Sequence, residues 1–177
     1  MTQAPQATSG QTAYLALDYA TYIVENFSHD AGVAERASTA LTQARTAGLP
    51  VFHVVHERML DQLHPLLAPV GDEPVLGKTT MGAFASTNLH ERLQAAGVGR
   101  VIVAGVATSG TVLSTARWAV DVGYQVAICA DACGDPDAQA HAALVDETVF
   151  PTSWIGLWRI ARVLRSTEIA ELGSLTE

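Results

Sequence analysis

The chain has 177 residues and no internal repeat, and 49% of them are apolar against 16% charged, a composition that supplies a sizeable core and excludes a disordered chain. Ten Lys and Arg against eighteen Asp and Glu give a net charge of −8, which disfavours binding driven by a phosphate backbone and so excludes DNA and RNA as leading partners. Cys129 and Cys133 are the only cysteines, too few for a disulfide scaffold and suited to a reducing compartment.

Residues 1–11 carry neither a basic nor an apolar signal region and read as a disordered tail, followed by one domain over 12–177. No apolar run approaches the roughly 20 residues needed to span a bilayer, so a soluble cytoplasmic protein is expected. Residues 12–18 form an apolar run of strand length that ends on Asp18. Val33, Ala37, Leu41 and Ala44 recur at helical spacing over 30–48, and Gly48 stops that helix before a strand at 50–56. The Pro-containing stretch 59–77 is expected to be an irregular loop or lid with short structure inside. Thr87 or Asn88 can cap a helix with Leu89, Leu93 and Ala96, which Gly97 ends. Residues 100–106 are the clearest buried strand, and the ATSGT that follows turns directly into a helix ending at Gly123. A strand at 124–132 comes next, then a helix from Asp135 as N-cap, with Pro136 at its first position, to about Val149. A strand at 161–166 and a helix at 167–172 close the chain.

This alternation, with the right-handed crossover rule, predicts a three-layer α/β sandwich with a mainly parallel sheet of five or six strands and helices on both faces. Ligands of such sheets bind outside the carboxyl ends of the strands, where neighbouring connections diverge. Three strand exits carry polar residues: Asp18, the segment GKTTMGAFAST with Lys78, and the segment GVATSGTVLSTAR.

Together these three segments, matching in order and spacing over residues 14–172, resemble the isochorismatase-like cysteine hydrolase superfamily. Its members place an Asp after the first strand, a Lys in midchain and a GxAT-x-x-C turn leading into a helix. The resemblance implies strand order 3-2-1-4-5-6, catalytic roles for Asp18 and Lys78, and a non-proline cis peptide between Val106 and Ala107. It also implies an oxyanion hole from the amides of Ala107 and Thr111, with Gly110 in the same turn. It implies hydrolysis of a small-molecule substrate and a homodimer or higher homo-oligomer.

One departure stands out: the position of the family's nucleophilic Cys is Thr111, and neither cysteine can be slid into that turn. A thiol of pKa about 8.5 is readily ionised by its surroundings, whereas an alcohol is far less acidic and a β-branched one is hindered. What remains is an Asp/Lys site without a thiol, able to act on an enol ether with Asp18 as proton donor, or on an amide through Thr111 or an activated water. The different-class alternative is a catalytically silent domain that binds a metabolite or partner through the same pocket.

Tyr19, Tyr22, Phe27, Phe84, Trp118 and the 59–77 loop are the expected pocket walls, favouring a small, partly apolar ligand with one carbonyl or carboxylate group. His53 and His56 lie three apart in a strand and point to opposite faces, so no metal is expected. No phosphate-loop pattern is present, so no nucleotide or other cofactor is expected either. Cys129 and Cys133 read as buried small residues. Trp154, Ile155 and Trp158 can share one helical face, as core or as an oligomer contact.

Overall fold

The computed structural model describes residues 10–173. Most of the expected tail therefore lies outside the described residues, and Gln11 already opens the first strand. Six strands form one all-parallel sheet: β1 (Gln11–Leu17), β2 (Val51–His56), β3 (Val75–Lys78), β4 (Val98–Gly105), β5 (Gln125–Cys129) and β6 (Arg162–Leu164). Their order is β3-β2-β1-β4-β5-β6, as expected. β1 and β4 are the central pair and are buried over almost their whole lengths, which is why they read as unbroken apolar runs. The order reverses between β1 and β4, so the connections leaving them diverge and open a crevice at their carboxyl ends.

The helices are α1 (Thr21–Asn26), α2 (Val33–Thr46), α3 (Leu89–Ala95), α4 (Leu113–Asp121), α5 (Ala138–Val145) and α6 (Ile169–Gly173). α2 buries Val33, Ala37, Ala40, Leu41 and Ala44, the stripe visible in the sequence, and Gly48 follows it at φ 70°. No described helix is long and apolar enough to cross a membrane.

Several local expectations need correction. α1 and β3 are too short to carry a periodic signal, and β3 is a piece of short structure that begins within the 59–77 stretch and ends on Lys78. α5 begins after Asp137, whose carboxylate accepts from Gln139 N and Ala140 N, and not after Asp135. Asp135 is not free to cap it, because its carboxylate accepts from Ser109 N and Asp137 N. Trp154 and Trp158 share no helical face: the chain there is a loop followed by a single 3-10 turn, Leu157–Arg159. Trp154 is 79% exposed, whereas the Trp158 ring lies against Gly156.

The loop before β3 is tied down by one carboxylate. Glu73 accepts from Arg45 Nε and Nη2, each at 2.8 Å, from Val70 N at 3.0 Å and from His53 Nε2 at 2.9 Å. Burial lowers the His53 pKa against the pull of Glu73, so the neutral ring donates through Nε2 and leaves Nδ1 buried without a partner. Burial would raise the Glu73 pKa, but the hydrogen bonds from Arg45, His53 and Val70 outweigh it and hold it at about 2 instead of 4.5. A depressed carboxyl stabilises the fold above its unfolded value and loses that contribution as pH falls. Acid titration of the wild type should therefore show stability falling between pH 4.5 and about 2. Glu73→Gln should remove on the order of 2 kcal/mol at neutral pH and flatten that slope, read as urea midpoints across the range.

Candidate active site

Asp18 follows β1 at φ 52°, a left-handed conformation that Asp tolerates better than most residues. Its N–H donates to Val54 O at 2.8 Å, which fixes the turn over the end of β2. One carboxylate oxygen, Oδ1, accepts from His56 N at 3.1 Å, and Oδ2 pairs with Lys78 Nζ at 2.8 Å. In the sheet register His56 lies beside Lys78, so the exits of β1, β2 and β3 bring these three residues into one row. Lys78 Nζ also donates to Thr80 O and Met81 O, each at 3.1 Å. All three ammonium donors are thus engaged, and both Asp18 oxygens act as acceptors, the hydrogen bonding of a carboxylate. Asp18 and Lys78 are 9% and 4% exposed.

The facing wall is the turn after β4. Gly105 is required there because a Cβ would run into the Leu17 carbonyl of the neighbouring strand. The Val106–Ala107 peptide is cis. A wide, π-type helical turn, Thr108–Val112, then leads into α4. Long-range partners hold this turn: Thr108 N donates to Gly134 O at 2.7 Å and Ser109 N to Asp135 Oδ2 at 2.7 Å. Thr108 Oγ1 lies 2.9 Å from His141 Nδ1 and 3.0 Å from Gly134 O. Gly110 N and Val112 N both turn back to Ala107 O. Thr111 is 2% exposed, and its Oγ1 is buried without a partner among the described residues.

Between the two walls lies a cavity of about 350 Å³ lined by Asp18, Lys78, Thr111, Val106, Ala107, Gly110 and Phe27, all expected there. Ile23, His56, Met59, Met81 and Ser109 complete the lining. Four expected wall residues are elsewhere. Tyr19 is fully buried on the other side of the Asp18 turn, its hydroxyl donating to Ala132 O at 2.6 Å. Tyr22 is exposed on α1 and meets Phe27 edge-on, outside the lining. Phe84 stacks on Trp118 with ring centroids 4.2 Å apart, so the two rings satisfy each other between the loop before α3 and α4. Asp135, 1% exposed, was read from the sequence only as a helix cap, although it anchors the Thr111 turn. Among the described residues no group of three or more His, Cys, Asp or Glu could hold a metal ion.

The sequence profile of the isochorismatase domain matches residues 12–158. The chain is 30% identical to the isochorismatase family protein YecD of Escherichia coli over 161 residues, covering 77% of this chain and 81% of that protein. It is 33% identical to the secreted isochorismatase effector of Verticillium dahliae over 111 residues, 56% of this chain but only 58% of the effector. It is 35% identical to maleamate amidohydrolase of Pseudomonas putida over 77 residues, 44% of this chain and 36% of that enzyme. Among solved structures, an isochorismatase family protein from Burkholderia thailandensis superposes with a TM-score of 0.77 at 22% identity, covering 96% of this chain and 98% of that one.

Proposed function

Because this chain belongs to the isochorismatase family, whose profile spans residues 12–158, we propose that it hydrolyses a small molecule through an Asp18/Lys78 site without a thiol nucleophile. The observation that carries this reading is the 2.8 Å Asp18–Lys78 pair, set in one cavity with Thr111 and the Ala107 turn. Both Asp18 oxygens accept hydrogen bonds, which suits a proton acceptor better than a donor, so amide hydrolysis by water leads over enol-ether protonation. Asp18 takes a proton from a water held near the Thr111 hydroxyl as that water attacks the carbonyl carbon. The oxyanion formed is met by the Ala107 and Thr111 amides, and the proton passes from Asp18 to the leaving nitrogen. Lys78 keeps Asp18 in place and balances its charge. A screen of the purified protein against amides and enol ethers, with Lys78→Ala alongside, tests this: amides release ammonia or an amine, enol ethers a carbonyl product. Turnover that survives Lys78→Ala unchanged sinks the assignment.

The second reading, a silent binding domain, is favoured by one observation. The residue at the nucleophile position offers a buried hydroxyl with no partner among the described residues, and no general base touches it. Binding without turnover across the screen would select it.

Self-association in the cytoplasm is part of the proposal. The loop after α5 exposes Val149, Phe150, Trp154 and Ile155, and an unusual share of apolar side chain in one loop suits a contact with a second copy. Arg159 lies 5.2 Å from the Trp154 ring centroid, which holds that ring outward over its own chain. Light scattering at micromolar concentration should show an oligomer, and Trp154→Ala should weaken it about tenfold or more without lowering the melting temperature. A wild-type monomer there removes the contact.

A further inference from the structure

We infer that His141, which lies outside the cavity lining, is a positioning residue for the turn that carries Thr111: its Nδ1–H, given to the Thr108 hydroxyl, fixes that turn against α5. The inference rests on the hydrolytic reading for its effect on turnover, whereas the hold on the turn can be measured without any substrate.

The hydrogen bonds allow one direction for this contact. Gly134 O can only accept, and it takes Thr108 N at 2.7 Å and Thr108 Oγ1 at 3.0 Å. The single hydroxyl hydrogen of Thr108 is therefore spent, and at the 2.9 Å contact Oγ1 accepts from His141 Nδ1. Burial, followed by the neighbouring His29, lowers the His141 pKa, so at neutral pH the ring is uncharged and this is its one hydrogen. Thr108 is fully buried, so an oxygen that loses this donor has no solvent beside it to take the donor's place.

α5 places the ring. Asp137 caps this helix, and His141 stands one turn further on, its N–H donating to Asp137 O at 3.0 Å. Asp135, just before the cap, reaches Ser109 N with Oδ2 at 2.7 Å while its Oδ1 takes Asp137 N at 3.2 Å. The turn is thus gripped at two consecutive residues, Thr108 by His141 and Ser109 by Asp135. Ala107 and Thr111 flank that gripped pair, so a rotation at Thr108 would displace groups meant to meet a substrate oxygen, and displacements of about 1 Å are costly in a transition state. The same segment also orders another part of the lining. Asp135 O accepts from His29 N at 2.7 Å and from His29 Nδ1 at 2.9 Å, two residues after Phe27, and the His29 and His141 rings lie with centroids 5.3 Å apart.

Amide hydrogen exchange followed by NMR on the full chain tests this in His141→Leu, which has no donor, and in His141→Asn, whose side-chain N–H can stand where Nδ1–H stands. In His141→Leu the Thr108 and Ser109 amides should exchange about tenfold or more faster than in the wild type, while the Tyr14 and Asp18 amides, bonded to Pro50 O and Val54 O, keep their rates. His141→Asn should return the turn to within about threefold of the wild type. Thr108→Val, which removes the partner hydroxyl and keeps the shape, should loosen the same two amides, and adding His141→Leu to it should change them by no more than about twofold. On any amide that the wild type turns over, His141→Leu should lower kcat about tenfold or more with KM within about twofold, and His141→Asn should recover it. A merely structural His141 would loosen β1 and the turn together, or would be replaced as badly by Asn as by Leu, and either result overturns the inference. A turn that exchanges at the wild-type rate in His141→Leu and in Thr108→Val overturns it too, as does a kcat that stays level while the turn loosens. If the wild type hydrolyses nothing in the screen, the hydrolytic reading fails and the exchange rates alone decide the inference.

Discussion

Asp18→Asn should lower kcat on any substrate this protein turns over by about a hundred- to ten-thousand-fold, the range lost when a positioned proton-transfer group is removed. Asparagine has nearly the same shape, and its Oδ1 can still accept from His56 N. Its amide nitrogen, however, then faces Lys78 Nζ, which now sits 2.8 Å from Asp18 Oδ2 and would meet a donor in place of an acceptor. The ammonium keeps Thr80 O and Met81 O but loses its counter-charge at a position 4% exposed to solvent. Breaking a buried pair from one side costs about 3–5 kcal/mol, so stability falls along with activity. The two effects separate in Asp18→Asn combined with Lys78→Met, which removes the stranded ammonium and should recover most of the stability but none of the turnover. Turnover that returns with stability would mean that Asp18 only supports the fold and another group moves the proton. Enol-ether turnover that persists in Asp18→Asn would exclude Asp18 as the acid for that chemistry.

The sheet and the row of site residues were legible in the sequence for the same reason. Parallel strands buried on both faces appear as apolar runs, and the polar residue that ends each run must stand at the rim where ligands bind, as Asp18 does after β1 and the Val106 turn does after β4. Lys78 was legible as a family position although its strand was not, because β3 is four residues long, contains Gly77 and has only one strand neighbour. The pocket walls were legible only in part. Aromatic residues near a site in sequence carry no direction. Tyr19 is the chain neighbour of Asp18 and points to the opposite side, towards Ala132 O, and Phe84 is claimed by Trp118. Asp135 shows a different limit. Asp-Pro before an apolar run is a local helix-start signal, yet the carboxylate is committed to Ser109 N, a partner distant in the chain that only the assembled sheet brings near. The device that orders the Thr111 turn is therefore invisible to any reading of local pattern.

Thr111→Cys should raise amide hydrolysis by about a hundredfold or more, with an acyl-enzyme detectable by mass spectrometry in the first turnovers. Cysteine is close to threonine in size, and at this site it would replace a hydroxyl that has no partner among the described residues, so the fold loses no hydrogen bond. A thiol needs far less help to ionise than an alcohol, and a nearby ammonium such as Lys78 favours the thiolate. Removing the β-branch also opens the approach to a carbonyl carbon. The rest of the machinery would be unchanged: the Asp18–Lys78 pair, the Ala107 turn, and the anchors from Gly134 and Asp135 that hold the turn in place. The size of the gain is therefore a measure of how well those parts are still arranged for chemistry. A large gain with an acyl-enzyme means that only the nucleophile differs from a thiol hydrolase, and that the natural protein reaches the carbonyl by water. If Thr111→Cys binds an amide of the screen as the wild type does, yet forms no acyl-enzyme and releases no ammonia or amine, the carbonyl carbon does not sit within reach of position 111. The cavity is then a binding site in which Thr111 serves recognition, and the silent-domain reading prevails.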